Sequence, residues 1–304
     1  MNFRQCQKLN ELYLSQLQNN KQMRTILIII LIPLIQLKVL GQFVEGRITD
    51  SKTNDPLEYA SIGIINTNFG TITDGSGHFK FDAKVERQSI VRISMIGYEP
   101  QKFTLGELLG HKNEIKLDEK TIELSEVIIK PTIERKVGET KSNRFSDWSG
   151  WGGTQIRKGF EVGIMLDLGE KPVMVKDLNV LLKRQSFDKS LFRLHIRTVR
   201  DTLIVDELLT ENIILTISKE KGWVKFDLGP HNIVLDGKIG LTLEWLDVTG
   251  NNTDRAMKIN KGMVDAYILF KNNKNHWGLY RWGTEANWRI NKKQCPSMYL
   301  TIEE

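Results

Sequence analysis

Apolar and polar side chains alternate with a period of two along most of the chain, which is the spacing of half-buried β-strands. Phe192, Leu194 and Ile196 show this most clearly, because they alternate with cationic side chains. In the part of the chain beyond residue 145, the same alternation predicts strands at residues 161–168, 173–182, 212–217, 223–228, 239–245, 265–270 and 298–302. No long segment of helical period interrupts them. About eight or nine antiparallel strands are therefore predicted beyond residue 145.

The residues from Gly70 to Tyr98 organise the first half of the chain. A short strand ends at Thr73, and residues 74–77 supply the turn residues that tolerate positive φ and lead into the next strand. A β-rich run follows and stops at Gly97. Together with runs at residues 43–49, 57–65, 101–105 and 113–117, this pattern predicts about seven short strands, with the turn spacing of a β-sandwich.

A series of short motifs in this half carries a family resemblance. In order, they are Gly46-Arg47-Ile48-Thr49-Asp50, Pro56-Leu57, Ala60-Ser61-Ile62, Gly70-Thr71, Thr73-Asp74, Gly77-His78-Phe79 and Ile93-Ser94-Met95-Ile96-Gly97-Tyr98. Residues 43–118 resemble the carboxypeptidase-D regulatory-like domain of exported Bacteroidetes proteins. The resemblance implies a transthyretin-like, seven-stranded sandwich without catalytic residues of its own, and a location at the cell envelope.

Residues 1–41 differ from the rest of the chain. Arg24 precedes an apolar run at residues 26–35, and the small residue Gly41 ends the segment, which is the pattern of a secretory signal. The apolar run is shorter than the roughly 20 residues that a membrane-spanning helix needs. We therefore expect an N-terminal extension plus a cleaved signal peptide at residues 1–41, and a mature chain without a transmembrane span. The expected location is exported: periplasmic, outer-membrane-associated or extracellular.

The domain boundaries follow from composition. Residues 42–118 form the predicted first sandwich, and residues 119–144 are predicted to be an extended segment and a charged, aperiodic linker. Residues 145–304 contain all seven tryptophans and are predicted to form a larger, jelly-roll-like sandwich. No motif in residues 145–304 indicates a known family. The predicted fold is all-β, with two tandem sandwiches.

Charge excludes one class of partner. The formal net charge is +6, from 43 basic and 37 acidic residues. Residues 1–41 contain five basic residues and one acidic residue, so the mature chain would carry 38 and 36. No clustered cationic face stands out, and nucleic acid is therefore not an expected partner. Of the two cysteines only Cys295 lies beyond the leader, so the mature chain has no internal disulfide; a buried small hydrophobe is favoured over a reactive thiol.

The sequence contains little that indicates a catalytic site. His111 and Glu114 have the His-x-x-Glu spacing of zinc carboxypeptidases, but catalytic zinc needs a third ligand and a general base in one cleft, and this pair opens a predicted edge strand. Neither a Gly-x-Ser-x-Gly motif nor a phosphate-binding glycine-rich loop occurs. We predict no catalytic residue, no metal and no cofactor.

Two polar groups admit a second interpretation. Arg193, His195 and Arg197 would form a basic strip on one sheet face, which suits an anionic ligand or glycan; a solvated face is favoured, because alternation requires polar residues there. Asp247, Asn251, Asn252 and Asp254 offer oxygen ligands for calcium, but an ordinary turn is favoured over an ion site.

The densest aromatic stretch is the candidate ligand site. Its residues are Trp277, Tyr280, Trp282, Trp288 and Arg289. Exposed rings on a sandwich stack on sugars, while a core position is the alternative. The sequence predicts a non-enzymatic, exported binding module for a glycan or an envelope protein. The runner-up is a hydrolase with its site in the second sandwich.

Overall fold

The computed structural model describes residues 43–120, 133–141, 148–152, 158–251, 257–259, 262–264 and 267–304. The predicted leader at residues 1–41 lies outside them. Within the described ranges, no helix combines the length and the apolar character that crossing a membrane requires. The architecture is all-β, as predicted.

The first sandwich contains seven strands and a single helical turn. The strands are β1 Phe43–Asp50, β2 Ser61–Ile64, β3 Gly70–Ile72, β4 His78–Asp82, β5 Ile90–Ser94, β6 Gln101–Thr104 and β7 Lys112–Leu117. They form a three-stranded sheet in the order β4-β1-β7 and a four-stranded sheet in the order β3-β2-β5-β6. The helix, α1 Leu105–Leu108, begins at Thr104, whose backbone N–H donates to the Glu107 carboxylate.

Alternation in the sequence accounts for the core of this sandwich. Along β7 every second residue is buried, and β1 and β5 contribute Ile48 and Ile93 to the same interior. The predicted turn after Thr73 is confirmed: Asp74 accepts the backbone N–H groups of Ser76 and His78 at 2.9 Å each. The seven-stranded sandwich is therefore confirmed.

The second sandwich contains the remaining strands. They are β8 Glu134–Gly138, β9 Trp148–Gly152, β10 Phe160–Asp167, β11 Val173–Gln185, β12 Lys189–Arg200, β13 Leu203–Glu207, β14 Ile214–Ile217, β15 Gly222–Asp227, β16 Val234–Leu235, β17 Lys238–Thr249, β18 Met257–Ile259, β19 Gly262–Val264, β20 Tyr267–Asn273, β21 Gly278–Trp282, β22 Arg289–Asn291, β23 Cys295–Pro296 and β24 Met298–Glu303. A 3₁₀ turn at Gly229–His231 precedes β16.

Two sheets make up this sandwich. One runs β13-β12-β17-β10-β21-β22, with β14 also paired to β12, and we call it the inner sheet. The other runs β23-β20-β11-β24-β8, with β15, β16 and β9 attached, while β18 and β19 form a separate hairpin. Apolar residues from both sheets fill one core, which includes Val162, Leu178 and Trp245.

Two features of this half differ from the sequence-based expectation. Short strands such as β16 and β23 raise the number of strands above the eight or nine predicted, because two residues are too few to show alternation. Part of the segment predicted as a linker, Glu134–Gly138, is strand β8, which pairs with β24. Only Val137 of this strand is buried, so its sequence lacks the alternation of a half-buried strand.

The two sandwiches pack directly on each other. Asn66 of the first donates its backbone N–H to the carbonyl of Glu285 at 2.9 Å, and the Thr284 hydroxyl donates to the carbonyl of Ile62 at 3.2 Å. Arg92 forms an ion pair of 2.7 Å with the Glu285 carboxylate. Ile96 of the first sandwich lies in the apolar core of the second. Hydrogen bonds, charge and apolar contact thus all join the two units.

The interface between the two sandwiches depends on a glycine in β2. A Cβ added at Gly63 would lie 2.7 Å from Cγ of Glu285, so Gly63→Ala should lower the free energy of unfolding by about 1 to 3 kcal/mol through overpacking. Gly75→Ala is the matched control, because its nearest neighbour would lie at 3.5 Å. Urea unfolding of both variants measures the difference. Equal free energies of unfolding for the two variants would mean that the two sandwiches pack less closely at Gly63 than described.

Candidate functional site

A row of charged side chains crosses the inner sheet where it faces the first sandwich. Strand register places Arg193 of β12 opposite Glu244 of β17, Glu244 opposite Glu161 of β10, and Glu161 opposite Arg281 of β21. Because residues directly opposite each other on neighbouring strands lie on the same side of a sheet, all four point to the same face. Two carboxylates thus lie side by side between two guanidinium groups, which offset their mutual repulsion.

Neighbouring residues extend this row into a network. We call it the charge network, and its members are Glu161, Arg193, His195, Arg197, Glu207, Thr242, Glu244 and Arg281.

Glu161 is fully enclosed, with a side chain that is 0% exposed. Arg197 donates to both of its oxygens, at 2.6 and 3.3 Å, and the Thr242 hydroxyl donates at 2.7 Å. Arg281 donates to it from Nη2. Two cations and a hydroxyl therefore satisfy one fully buried carboxylate, as a buried charge requires.

His195 bridges the other two carboxylates. Its Nδ1 lies 2.6 Å from Oε2 of Glu207, and its Nε2 lies 2.9 Å from Oε2 of Glu244. Each ring nitrogen therefore has a carboxylate oxygen as its hydrogen-bond partner. Arg193 places Nε 3.0 Å from the same Glu244 oxygen as an ion pair.

The carboxylates of the network are held in the ionised form. Burial acts to raise the pKa of Glu161, but the charges of Arg197 and Arg281 outweigh it, and its pKa lies well below the ordinary value. Burial likewise opposes the charges of Arg197 and His195 at Glu207, and those of Arg193 and His195 at Glu244, and both pKa values are again lowered.

The basic strip predicted to be a solvated face is buried. Arg193, His195 and Arg197 are 1%, 6% and 8% exposed. Arg193 donates from Nη2 to the carbonyl of Tyr59, and the Ser61 hydroxyl lies 3.5 Å from Glu244, so the first sandwich covers the strip. The solvated-face prediction is therefore wrong, because alternation defines a polar face but does not show what covers it.

Beside this covered strip the two sandwiches leave a cleft of about 870 Å³. The first sandwich contributes Arg92 and Ser94 to its walls, and the second contributes Glu207, Asn287 and Trp288. Members of the charge network, including Arg281, line its deeper part. We call this space the interdomain cleft. A ligand of several rings would fit its volume.

The five aromatic-stretch candidates do not form one platform. Tyr280 and Trp282 share the core face of β21, where Tyr280 packs on the apolar core and Trp282, 39% exposed, meets Phe160 edge-on at 4.7 Å. Trp277 precedes the strand, and the Lys292 ammonium lies 4.6 Å from its ring centre. Only Trp288 lines the interdomain cleft among these candidates. Arg289 is exposed on β22, opposite Tyr280.

The other polar candidates lie apart. His111 and Glu114 are both exposed, and Glu114 lies on β7, which is an edge strand as predicted. Asp247 forms an ion pair of 3.0 Å with Lys158, whereas Asn252 and Asp254 lie outside the described residues. Cys295 is buried, and burial raises the pKa of its thiol to about 12, which disfavours the reactive thiolate form at neutral pH.

A metal ion fits the charge network poorly. Glu161, His195 and Glu244 each present a ligand atom within 4.8 Å of the others. Both carboxylates, however, already bind guanidinium groups, and a divalent cation between them would meet the charges of Arg193, Arg197 and Arg281. The guanidinium groups already supply the positive charge that these two carboxylates require.

Comparison with known proteins identifies the first sandwich. Residues 44–129 match the family described as the CarboxypepD_reg-like domain, so this part of the chain is a domain of that family, as the motif series predicts. No curated protein matches the chain. A solved structure described as "Structure of infectious bursal disease virus Gx strain" is 10% identical, with a TM-score of 0.20. That similarity covers 86% of this chain and 60% of the viral chain, and at this score it supports no conclusion about fold.

The lowered pKa values predict how stability depends on pH. Unfolded glutamates titrate near 4.5, whereas Glu161, Glu207 and Glu244 hold their charge to lower pH when folded. Their contribution is complete above the unfolded value and is lost as pH falls through the folded values. The free energy of unfolding should therefore fall as pH is lowered below about 4.5. Urea unfolding between pH 7 and pH 2.5 measures it; a constant value across that range would contradict the network.

Proposed function

We propose that this protein is a non-enzymatic, exported binding module of the bacterial cell envelope, and that its ligand occupies the interdomain cleft. The ligand class is a glycan or an envelope protein. The observation that carries the proposal is that both sandwiches contribute walls to one polar cleft. An aromatic ring and several guanidinium groups face it, which is the combination of apolar surface and oriented polar groups that ligand sites use.

The electrostatics of the cleft support binding rather than hydrolysis. A general acid needs a raised pKa to be protonated near neutral pH. The pKa values of Glu161, Glu207 and Glu244 are all lowered, and each carboxylate is occupied by cationic partners. None of the three is suited to protonate a leaving group. The envelope location rests on the resemblance of residues 43–118 to domains of exported proteins.

A cleft-filling variant tests the proposal on a glycan array and on envelope extracts. Asn287 is exposed and lines the cleft, so Asn287→Trp should block it without disturbing the core. Lys293→Trp adds the same ring at an exposed position outside the cleft walls. We expect the wild-type chain and Lys293→Trp to bind alike, and Asn287→Trp to bind at least tenfold more weakly.

The same pair of variants tests the hydrolase alternative. The full chain is incubated with mixed peptide, ester and glycoside substrates. We expect no turnover. Turnover that Asn287→Trp abolishes and Lys293→Trp retains would place an active site in the cleft and overturn the non-enzymatic proposal.

A further inference from the structure

We propose that the interdomain cleft accepts a carboxylate-bearing saccharide, with guanidinium N–H groups donating to the carboxylate and Trp288 packing on a sugar ring. This inference rests on the proposed binding function and deepens it by naming the ligand's chemistry. Three features of the cleft carry it: guanidinium N–H groups that remain available, the partial exposure of Arg92 at the cleft wall and the position of the indole ring.

Guanidinium N–H groups remain available on the cleft walls. Glu207 accepts two backbone N–H groups at Oε1 and faces His195 and Arg197 at Oε2. A guanidinium offers five N–H donors. The hydrogen bonds described for Arg92 leave from Nη1 alone, and the one described for Arg281 leaves from Nη2. The Glu207 carboxylate is thus occupied while guanidinium N–H groups remain, which favours a ligand with acceptor oxygens at this wall.

An accessible guanidinium at the cleft wall also favours an anionic ligand. The buried network is balanced, because Arg193, Arg197 and Arg281 face the three carboxylates of Glu161, Glu207 and Glu244. At the cleft wall, Arg92 pairs with Glu285 but keeps 33% of its side chain exposed. A ligand carboxylate would reach the exposed part of Arg92 without moving buried groups.

Trp288 supplies an apolar surface next to these cations. The guanidinium carbons of Arg197 and Arg281 lie 5.4 and 4.9 Å from its ring centre, which fixes the indole against the network. The side chain is half-buried, and its residue lines the cleft. A sugar ring presents C–H groups to such a face while its hydroxyls and carboxylate stay at the polar walls. A saccharide therefore suits the site better than an acidic peptide.

The test compares two probes that differ only in their carboxyl groups. Trigalacturonic acid and its carboxyl-reduced counterpart are titrated calorimetrically against the full chain. We expect the acid to bind at least tenfold more tightly than the reduced sugar. Arg92→Gln should weaken binding of the acid about tenfold, whereas Arg289→Gln, an exposed arginine outside the cleft walls, should leave it unchanged. Trp288→Ala should weaken both probes relative to Trp277→Ala.

The outcomes separate this inference from the function on which it rests. Equal affinity for the acid and the reduced sugar would overturn the inference that the ligand carries a carboxylate, but not the proposal that the cleft binds a ligand. Binding of an acidic peptide in the cleft, with neither sugar bound, would overturn the inference that the ligand is a saccharide. Binding of the acid that Asn287→Trp does not affect would overturn the claim that the ligand occupies the interdomain cleft. Thermal melting of Arg92→Gln and Trp288→Ala confirms that any loss of binding occurs in folded protein.

Discussion

Replacement of Glu161 by glutamine should lower the free energy of unfolding by about 3 to 5 kcal/mol, the cost of leaving a buried ion pair without one partner. The substitution preserves shape, so no cavity contributes. It leaves Arg197 and Arg281 in a buried position without their shared carboxylate. Urea unfolding at pH 7 measures the loss.

An exposed ion pair provides the matched control for this variant. Asp206 pairs with Arg200 at 3.1 Å, and both side chains are mostly exposed. Asp206→Asn should therefore change stability by less than about 1 kcal/mol. If Glu161→Gln were as mild as Asp206→Asn, water would have to reach the network, and the burial described above would be wrong.

The replacement of Arg193 by methionine should cost a similar amount, about 3 to 5 kcal/mol. Methionine retains most of the buried volume but removes the ion pair to Glu244 and the hydrogen bond to the Tyr59 carbonyl. Because that carbonyl belongs to the first sandwich, the change weakens the interface between the two sandwiches as well as the charge network. Urea unfolding gives the loss, with exposed Arg200→Met as the control.

A double variant separates charge from packing at this position. Arg193→Met combined with Glu244→Met removes both charges, so it should cost less than the sum of the two single changes. Additive losses would show that Arg193 and Glu244 do not interact in the folded protein. The double-mutant cycle is measured by urea unfolding at pH 7.

Much of the fold is predictable from local sequence. Alternation identified the long strands, such as β12 and β17, because a strand with one buried face must repeat with period two. The turn after Thr73 was predictable because Asp74 and Gly77 supply the side-chain acceptor and the positive φ that it requires. Both features depend on residues close together in sequence.

The charge network was not predictable in the same way. Glu161 and Arg197 are 36 residues apart, and Thr242 lies 81 residues from Glu161. Their contact depends on the strand order β12-β17-β10 and on the register of these pairings. A signal was present, because acidic residues occupy the polar positions of β10 and β17. The sequence alone does not show that these strands flank each other.

The position of the first sandwich was equally unpredictable from the sequence. The first sandwich covers the strip through backbone groups, such as the Tyr59 carbonyl, and backbone groups leave no trace in a residue pattern. Aromatic density is the sequence feature that marks Trp288 as a candidate. Its place in the cleft comes from the turn between β21 and β22, which carries it to the same sheet face as Arg281.

Chemical modification of histidine tests the central claim most directly, which is that the first sandwich buries the polar strip of the second. The folded chain is treated with diethyl pyrocarbonate, and each histidine is followed by peptide mass spectrometry. His195 is 6% exposed, whereas His111 is exposed. We predict that His111 is modified rapidly and that His195 reacts only after unfolding. Modification of His195 in the folded chain at the rate of His111 would contradict the account.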